Sequence, residues 1–244
     1  MTTLDGIVNL NKPLGMTSAK AVGQVKYLLG RPKCGHAGTL DPLADGVLLV
    51  CLGRATKLVE LLMDQPKIYR TCAALDVTSS SFDRERPMTT IAIAEPPSPA
   101  RVAEVLHSFE GLTEQVPPTT SAVKLHGRPA YKLDRAGKSP ELTARRIQIH
   151  WIHLHGYEWP LLDFERCCGR GTYVRALIRD IGSRLGTGGC LTALTRTAVG
   201  PFHLDSACSL DQLAAVGDPR TTILPLDRAR TLLAAPPVVP ARSA

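Results

Sequence analysis

Aromatic residues are scarce in this chain: Phe, Trp and Tyr together make up 5% of its 244 residues. A binding surface made mainly of stacked rings is therefore excluded. The seven cysteines form no C-x-x-C pair, so the common structural zinc pattern is missing. No run approaches the roughly 18 consecutive apolar residues of a membrane-spanning helix. Met1-Thr2-Thr3-Leu4-Asp5 lacks the basic start of a signal peptide. Its glycines match neither a P-loop, whose lysine is absent, nor a G-x-G-x-x-G run. These absences point to a cytoplasmic protein with no metal, no dinucleotide and no membrane partner, its cysteines reduced and mostly buried.

What is present describes a globular chain. Hydrophobic residues make up 44% and charged residues 21%, enough for a sizeable core and too apolar for disorder. The formal net charge is +7. That balance suits a polyanion such as nucleic acid, or a basic surface with no special partner. The excess is concentrated in residues 116–147. There Lys124, Arg128, Lys132, Arg135, Lys138, Arg145 and Arg146 face only two acids. Such a stretch is either a solvated surface or a lobe that tracks phosphates.

Strands and helices alternate without a steady βαβ rhythm, which predicts an α+β fold. Residues 6–11, 47–52, 68–75, 147–157, 163–168 and 190–196 read as strands. Thr17 or Ser18 caps a helix to about Leu29, and Ser98-Pro99 starts another that ends near Ser108. Residues 55–63 read as a short helix. Gly171-Thr172 opens a helix with Val174, Leu177, Ile178, Ile181 and Leu185 as its apolar stripe. Ser209 caps a last helix. The polar stretch 78–86 reads as a surface loop, and the proline-rich tail from 231 as extended or disordered.

The stretch from Gly35 to Gly46 carries the most chemistry. It holds Asp41 among small, turn-forming residues, directly before the buried run Val47 to Leu52. Asp41-Pro42 keeps the aspartate out of helical geometry. Asp41 thus sits at the mouth of a rigid sheet, as a nucleophile, a general base, or merely an Asx turn with Pro42. His36 in the same loop is an acid/base, a wedge against a nucleobase, or neither. Arg175 lies in the first turn of its helix, opposed to the helix dipole, so it calls for an anion such as a carboxylate or a phosphate. Otherwise it is a solvated surface arginine. Tyr69 sits in an alternating strand, packed in the core or set near a base.

Together these residues make the chain resemble the TruB family of tRNA pseudouridine synthases. His36 through Gly46 matches the family's His-x-Gly-x-Leu-Asp-Pro-Leu-Ala-x-Gly run. Lys12 to Ser18, Ala55-Thr56-Lys57, Tyr69-Arg70, Pro117 to Lys124, Gly171 to Arg175 and Leu194-Thr195-Arg196 follow in family order. The resemblance spans about residues 5–215. It implies the pseudouridine synthase catalytic fold, a mixed, mostly antiparallel sheet flanked by helices, with a basic RNA-gripping insertion. It implies isomerisation of the T-loop uridine at tRNA position 55 by base flipping, with no cofactor. Asp41 is then the catalytic aspartate, Tyr69 the ring that stacks on the flipped base, and Arg175 the arginine that pairs with the aspartate. His36 fills the gap that the flipped nucleotide leaves. Lys57, Lys124, Tyr173, Leu194 and Arg196 are the other substrate-binding positions.

The chain departs from the family at two places. The Thr-Asp-Thr run that follows the Tyr-Arg strand is replaced, so its acid falls at Ser80. Asp45 replaces a small hydroxyl residue and puts a second carboxylate four residues from Asp41. The expected organisation is one catalytic domain over 1–230 with its insertion at 116–147, then the tail 231–244. No room is left for a C-terminal PUA-type domain. The expected partner is the T-arm of tRNA, bound by a monomer. The competing readings are a non-catalytic RNA-binding or tRNA-folding protein on the same fold, and the same chemistry on another RNA.

Overall fold

The computed structural model describes residues 4–121, 123–125, 127–138 and 140–241. In chain order the elements are β1 (Gly6–Lys12), α1 (Ser18–Leu28), β2 (Cys34–Ala37), β3 (Ala44–Leu52), α2 (Val59–Asp64) and β4 (Lys67–Ala74). There follow β5 (Val77–Thr78), β6 (Thr89–Thr90), α3 (Pro99–His107), β7 (Gly111–Gln115), β8 (Lys124–Leu125), β9 (Arg128–Pro129) and α4 (Ala130–Arg135). The chain continues through β10 (Arg145–Glu158), β11 (Leu161–Cys168), α5 (Val174–Leu185), β12 (Cys190–Val199) and β13 (Phe202–His203). It closes with α6 (Leu210–Ala215), β14 (Ile223–Pro225) and α7 (Leu226–Ala234). The chain divides into two compact units: residues 1–70 with 194–244, and residues 71–193.

In the first unit β3 is the central strand, and all but one of its residues are buried. A strand covered on both faces reads as the continuous apolar run seen at Val47 to Leu52. One edge of β3 pairs antiparallel with β1, from Gly6 opposite Leu52 to Lys12 opposite Gly46. β14 extends the sheet beyond β1. The other edge of β3 is shared. Cys34 to Ala37 of β2 pair antiparallel with residues 49–52. Leu194, Thr195 and Arg196 of β12 pair in parallel with Ala44, Asp45 and Gly46. The loop 38–43 thus leaves β2 and enters β3 where that edge changes partner.

The first unit's core joins Ile7, Val47, Leu49, Cys51, Leu62, Val199 and Phe202 to Leu226, Ala229 and Leu233. The last three form one stripe of α7 at helical spacing, so burial rather than propensity holds this helix. α7 corrects the expected tail, because residues 231–234 are helical and extended chain begins at Ala235. A second correction concerns residues 53–58, which form a 3-10 turn ahead of the shorter α2.

In the second unit β10 pairs antiparallel with β11 on one edge and β7 on the other. α3 packs on β10 and α5. Ser98 caps α3 by accepting from the Arg101 amide, with Pro99 in the first turn, as its sequence predicts. α5 buries Val174, Leu177, Ile178 and Ile181, and ends on Gly186 at φ +71°. The basic segment 116–147 holds the β8–β9 hairpin and α4. The α+β expectation holds: the strands are mostly antiparallel with the β3–β12 pair parallel, and helices flank them.

Candidate active site

The loop that carries Asp41 is fixed by backbone chemistry at each end. Gly38 and Gly46 stand at φ +88° and +96°, a region open to glycine at little cost. At Gly46 a Cβ would come 2.3 Å from the Arg196 carbonyl oxygen, so only glycine lets β3 and β12 meet there. Between the glycines the loop is tied to the start of α1. The buried Ser18 hydroxyl donates to the Leu40 carbonyl at 2.9 Å and accepts from the Leu40 amide at 2.8 Å. The Gly15 amide donates to the Pro42 carbonyl at 2.7 Å, and the Ala44 amide closes a turn on the Asp41 carbonyl at 3.0 Å. Asp41 is left half-buried, with its main chain held on both sides.

Charges of both signs gather around it. Lys12 is fully buried, and its ammonium donates to the carbonyls of Pro13 (2.9 Å) and Met16 (2.7 Å). Burial pulls its pKa down to about 8, with Arg196 adding to the fall while Asp45 and Asp41 oppose it. His36 on β2 is half-buried and pushed below its ordinary value, first by burial and then by the Arg196 charge, against a main-chain hydrogen bond with Gly38. It is therefore neutral at pH 7. Asp45 Oδ1 and His36 Nδ1 are buried and find no hydrogen-bond partner among the described residues. The first unit thus gathers two carboxylates, two cations and a neutral imidazole.

The other expected site positions divide. Tyr69 is 8% exposed on the buried face of β4, with the Arg196 guanidinium 6.0 Å from its ring centroid. Lys57 is exposed on a cavity of about 660 Å³ that Lys33, Arg54 and Arg220 also line. Lys124 begins β8, and its side chain lies outside the described residues. Two further positions expected to bind substrate are interior. Leu194 is buried in β12 against β3. Arg196 is 1% exposed and donates to the carbonyls of Val47 (2.7 Å) and Gly38 (3.1 Å). Two of its donors are thus bound to main chain beneath the loop.

In the second unit Tyr173 precedes α5 and is held by Gln115. The Tyr173 amide donates to Gln115 Oε1 at 2.8 Å, and Gln115 Nε2 donates to the Tyr173 carbonyl at 3.1 Å. Arg175 is 4% exposed. The anion beside it in this unit is Asp83, with Nε to Oδ2 at 3.4 Å. Arg175 also donates to the Thr120 hydroxyl and to the Ser81 carbonyl. Asp83 in turn accepts from the Ser81 hydroxyl at 2.6 Å and from the Glu85 amide at 2.9 Å. The expected surface loop 78–86 is corrected in part: Ser80 and residues 84–86 are exposed, but Ser79, Ser81 and Asp83 are buried, and this acid three residues beyond Ser80 lies against the arginine.

Sequence reasoning missed the roles of Lys12 and Asp83. Lys12 was visible as the start of Lys-Pro-Leu-Gly, but nothing local announces a buried ammonium. Asp83 carried a fainter signal, as the first acid after a serine run.

Comparison with known proteins bears on this arrangement. Residues 26–174 match the model of the TruB family pseudouridylate synthase N-terminal domain. Residues 175–230 match that of the tRNA pseudouridylate synthase B C-terminal domain. The chain is 41% identical to tRNA pseudouridine synthase B of Bordetella avium (strain 197N) over 230 residues, 92% of this chain and 93% of that one. It is 39% identical to the protein of that name from Clostridium kluyveri over 226 residues, 93% of this chain and 78% of the relative. Among solved structures, a chain of a Cbf5-Nop10-Gar1 complex aligns with a TM-score of 0.73 at 29% identity. A chain of an H/ACA RNP bound to a substrate RNA containing 2′-deoxyuridine aligns at 0.70 and 26%. Each alignment covers 94% of this chain but 62% of the solved one, so this chain spans about three fifths of their length.

Proposed function

This chain belongs to the TruB family of pseudouridylate synthases, and we propose that it converts the T-loop uridine of tRNA, at position 55, to pseudouridine with Asp41 as the catalytic carboxylate. The observation that carries the reading is the loop 38–46: a half-buried carboxylate pinned on both sides, with Lys12 in electrostatic reach and Arg196 bonded to the Gly38 carbonyl at the start of the loop. A carboxylate held still at the point of reaction needs little reorganisation when charge develops there.

The reaction breaks the bond from C1′ to uracil N1 and makes one from C1′ to C5. N1 gains a proton and the C5 hydrogen leaves as one, so atoms and electrons balance without an oxidant, a metal or a cofactor. Asp41 attacks the ribose or the base, or takes a sugar proton. The base must first leave the stack, at a cost of a few kcal/mol. Phosphate contacts offset this, and the cavity of about 380 Å³ lined by Arg128, Lys132 and Lys138 in the basic segment suits them. Tyr69 stacks on the extruded base, and His36 takes its place in the RNA. Arg175 is the family arginine, oriented here by Asp83 and Thr120. Lys57 and Tyr173 contact the RNA, as does Lys124. The enzyme acts as a monomer in the cytoplasm. Among the described residues no helix is long and apolar enough to cross a membrane.

The test is to incubate the protein with an unmodified tRNA transcript and map pseudouridine by carbodiimide modification and primer extension. A single stop at position 55, lost when that uridine is replaced by cytidine, supports the reading. Product at other sites alone would point to another RNA. Tight tRNA binding without product would point to a folding helper.

A further inference from the structure

Arg196 is among the largest fully buried side chains of the protein. A buried guanidinium is expensive unless every part of it is used. Here Nε donates to the Val47 carbonyl and Nη2 to the Gly38 carbonyl, at 2.7 and 3.1 Å. Those carbonyls lie on opposite flanks of Asp41, one on the first residue of the loop and one inside β3. The same side chain stands 6.0 Å from the Tyr69 ring centroid, near the outer limit of a cation–π contact. Its own main chain abuts Gly46, where any side chain would collide with it. One residue therefore touches both ends of the loop and faces the ring expected to stack on the base.

An apolar side chain of equal volume could fill this space. It could not bond two carbonyls that diverge around a loop, and a lysine offers one point charge where a planar fork is needed. The choice of arginine is thus explained by geometry rather than by packing.

We propose that Arg196 is a positioning residue for catalysis: it clamps the Gly38 and Val47 carbonyls so that the Asp41 loop and the Tyr69 ring are held against one rigid guanidinium. The clamp sets the rate of the chemical step and leaves tRNA affinity unchanged. This inference rests on the reading of Asp41 as the catalytic carboxylate.

The experiment measures single-turnover tritium release from tRNA labelled at uridine C5, with enzyme in excess, alongside filter-binding affinity and thermal melting. Wild type is compared with Arg196→Lys, Arg196→Ala and Asp41→Asn. The clamp predicts that Arg196→Lys binds tRNA within about threefold of wild type but reacts at least a hundredfold more slowly. It also predicts that added ethylguanidinium restores part of the rate of Arg196→Ala. A role in packing alone would lower melting and affinity together and give no rescue, and that result overturns the inference. An active Asp41→Asn would overturn the functional reading itself. An inactive Asp41→Asn beside a fast Arg196→Lys would overturn the clamp alone. Should the arginine variants fail to fold, the Arg196 Nε–H of the wild type is followed by NMR. The clamp predicts slow exchange with water in the free and tRNA-bound states, and fast exchange overturns it.

Discussion

The hydroxyl of Ser18, at the first turn of α1, exchanges two hydrogen bonds with the main chain of Leu40, donating to its carbonyl and accepting from its amide. Leu40 is the residue before Asp41, so the start of one helix fixes the approach to the carboxylate. Ser18→Ala leaves both main-chain groups buried and unpaired. The expected loss is about 2–3 kcal/mol of stability, with a fall in kcat larger than any change in KM. Urea unfolding and steady-state kinetics on tRNA check both; unchanged kcat would separate the tether from the chemistry.

Lys12 gives the protein a titration on the alkaline side. Burial brings its pKa to about 8 from an ordinary 10.5. Above pH 8 the ammonium discharges and the two carboxylates lose a buried cation that interacts with both. Turnover should therefore decline as pH rises through 8. Stability moves the other way for this group. Between about 8 and 10.5 the unfolded chain holds the proton that the folded chain has lost, so the Lys12 contribution to stability grows with pH. Activity should thus fall before the fold does. The Lys12→Met variant should be slower throughout and lack the decline near pH 8. A wild-type profile flat to pH 9.5 would contradict this.

Much of the architecture could be read from local chemistry. Thr17 and Ser98 cap their helices by accepting from the amides three residues on, and Ser209 forms a full capping box with Gln212. A cap is a contact between near neighbours, so residue types in order reveal it. The Asp41 loop was legible for the same reason, as glycines and a proline around one acid. What escaped was tertiary. α7 hides its stripe of Leu226, Ala229 and Leu233 among arginines and aspartate, and only the core it covers makes it a helix. Asp83 is buried because Arg175, far along the chain, lies against it. Arg196 reads in sequence as one more cation for RNA, and nothing local announces that it is buried and bonded to the carbonyls of Gly38 and Val47.

His36 is neutral at pH 7, since burial and the Arg196 charge both disfavour its protonated form. A neutral ring acts on RNA by stacking, a contact of about 1–3 kcal/mol per base. His36→Phe should therefore retain most activity and His36→Ala little, in kcat/KM on tRNA. The acid side supplies a second check. With its folded pKa depressed, His36 contributes stability that is present above about pH 6.5 and lost as pH falls through the folded value. His36→Phe should flatten the loss of stability between pH 7 and 5. An alanine variant as active as the phenylalanine one would remove the stacking role.

Affinity for tRNA should fall steeply with salt if phosphate contacts dominate it. Arg128, Lys132 and Lys138 line one cavity of the basic segment. Replacing each with alanine should lower the slope of log K against log salt by about 1 per phosphate contact removed. Filter binding across a range of potassium chloride concentrations measures this. A slope unchanged in the triple variant would mean that the segment is a solvated surface.

The most direct test of the whole account is single-turnover tritium release from C5-labelled tRNA by the wild type and by Asp41→Asn, at enzyme concentrations that saturate binding in both. Rapid release by the wild type and none above background by the variant are expected, with equal tRNA affinity. Equal release by the two would contradict it, because the carboxylate that the loop, Ser18 and Arg196 hold in place would then have no part in the reaction.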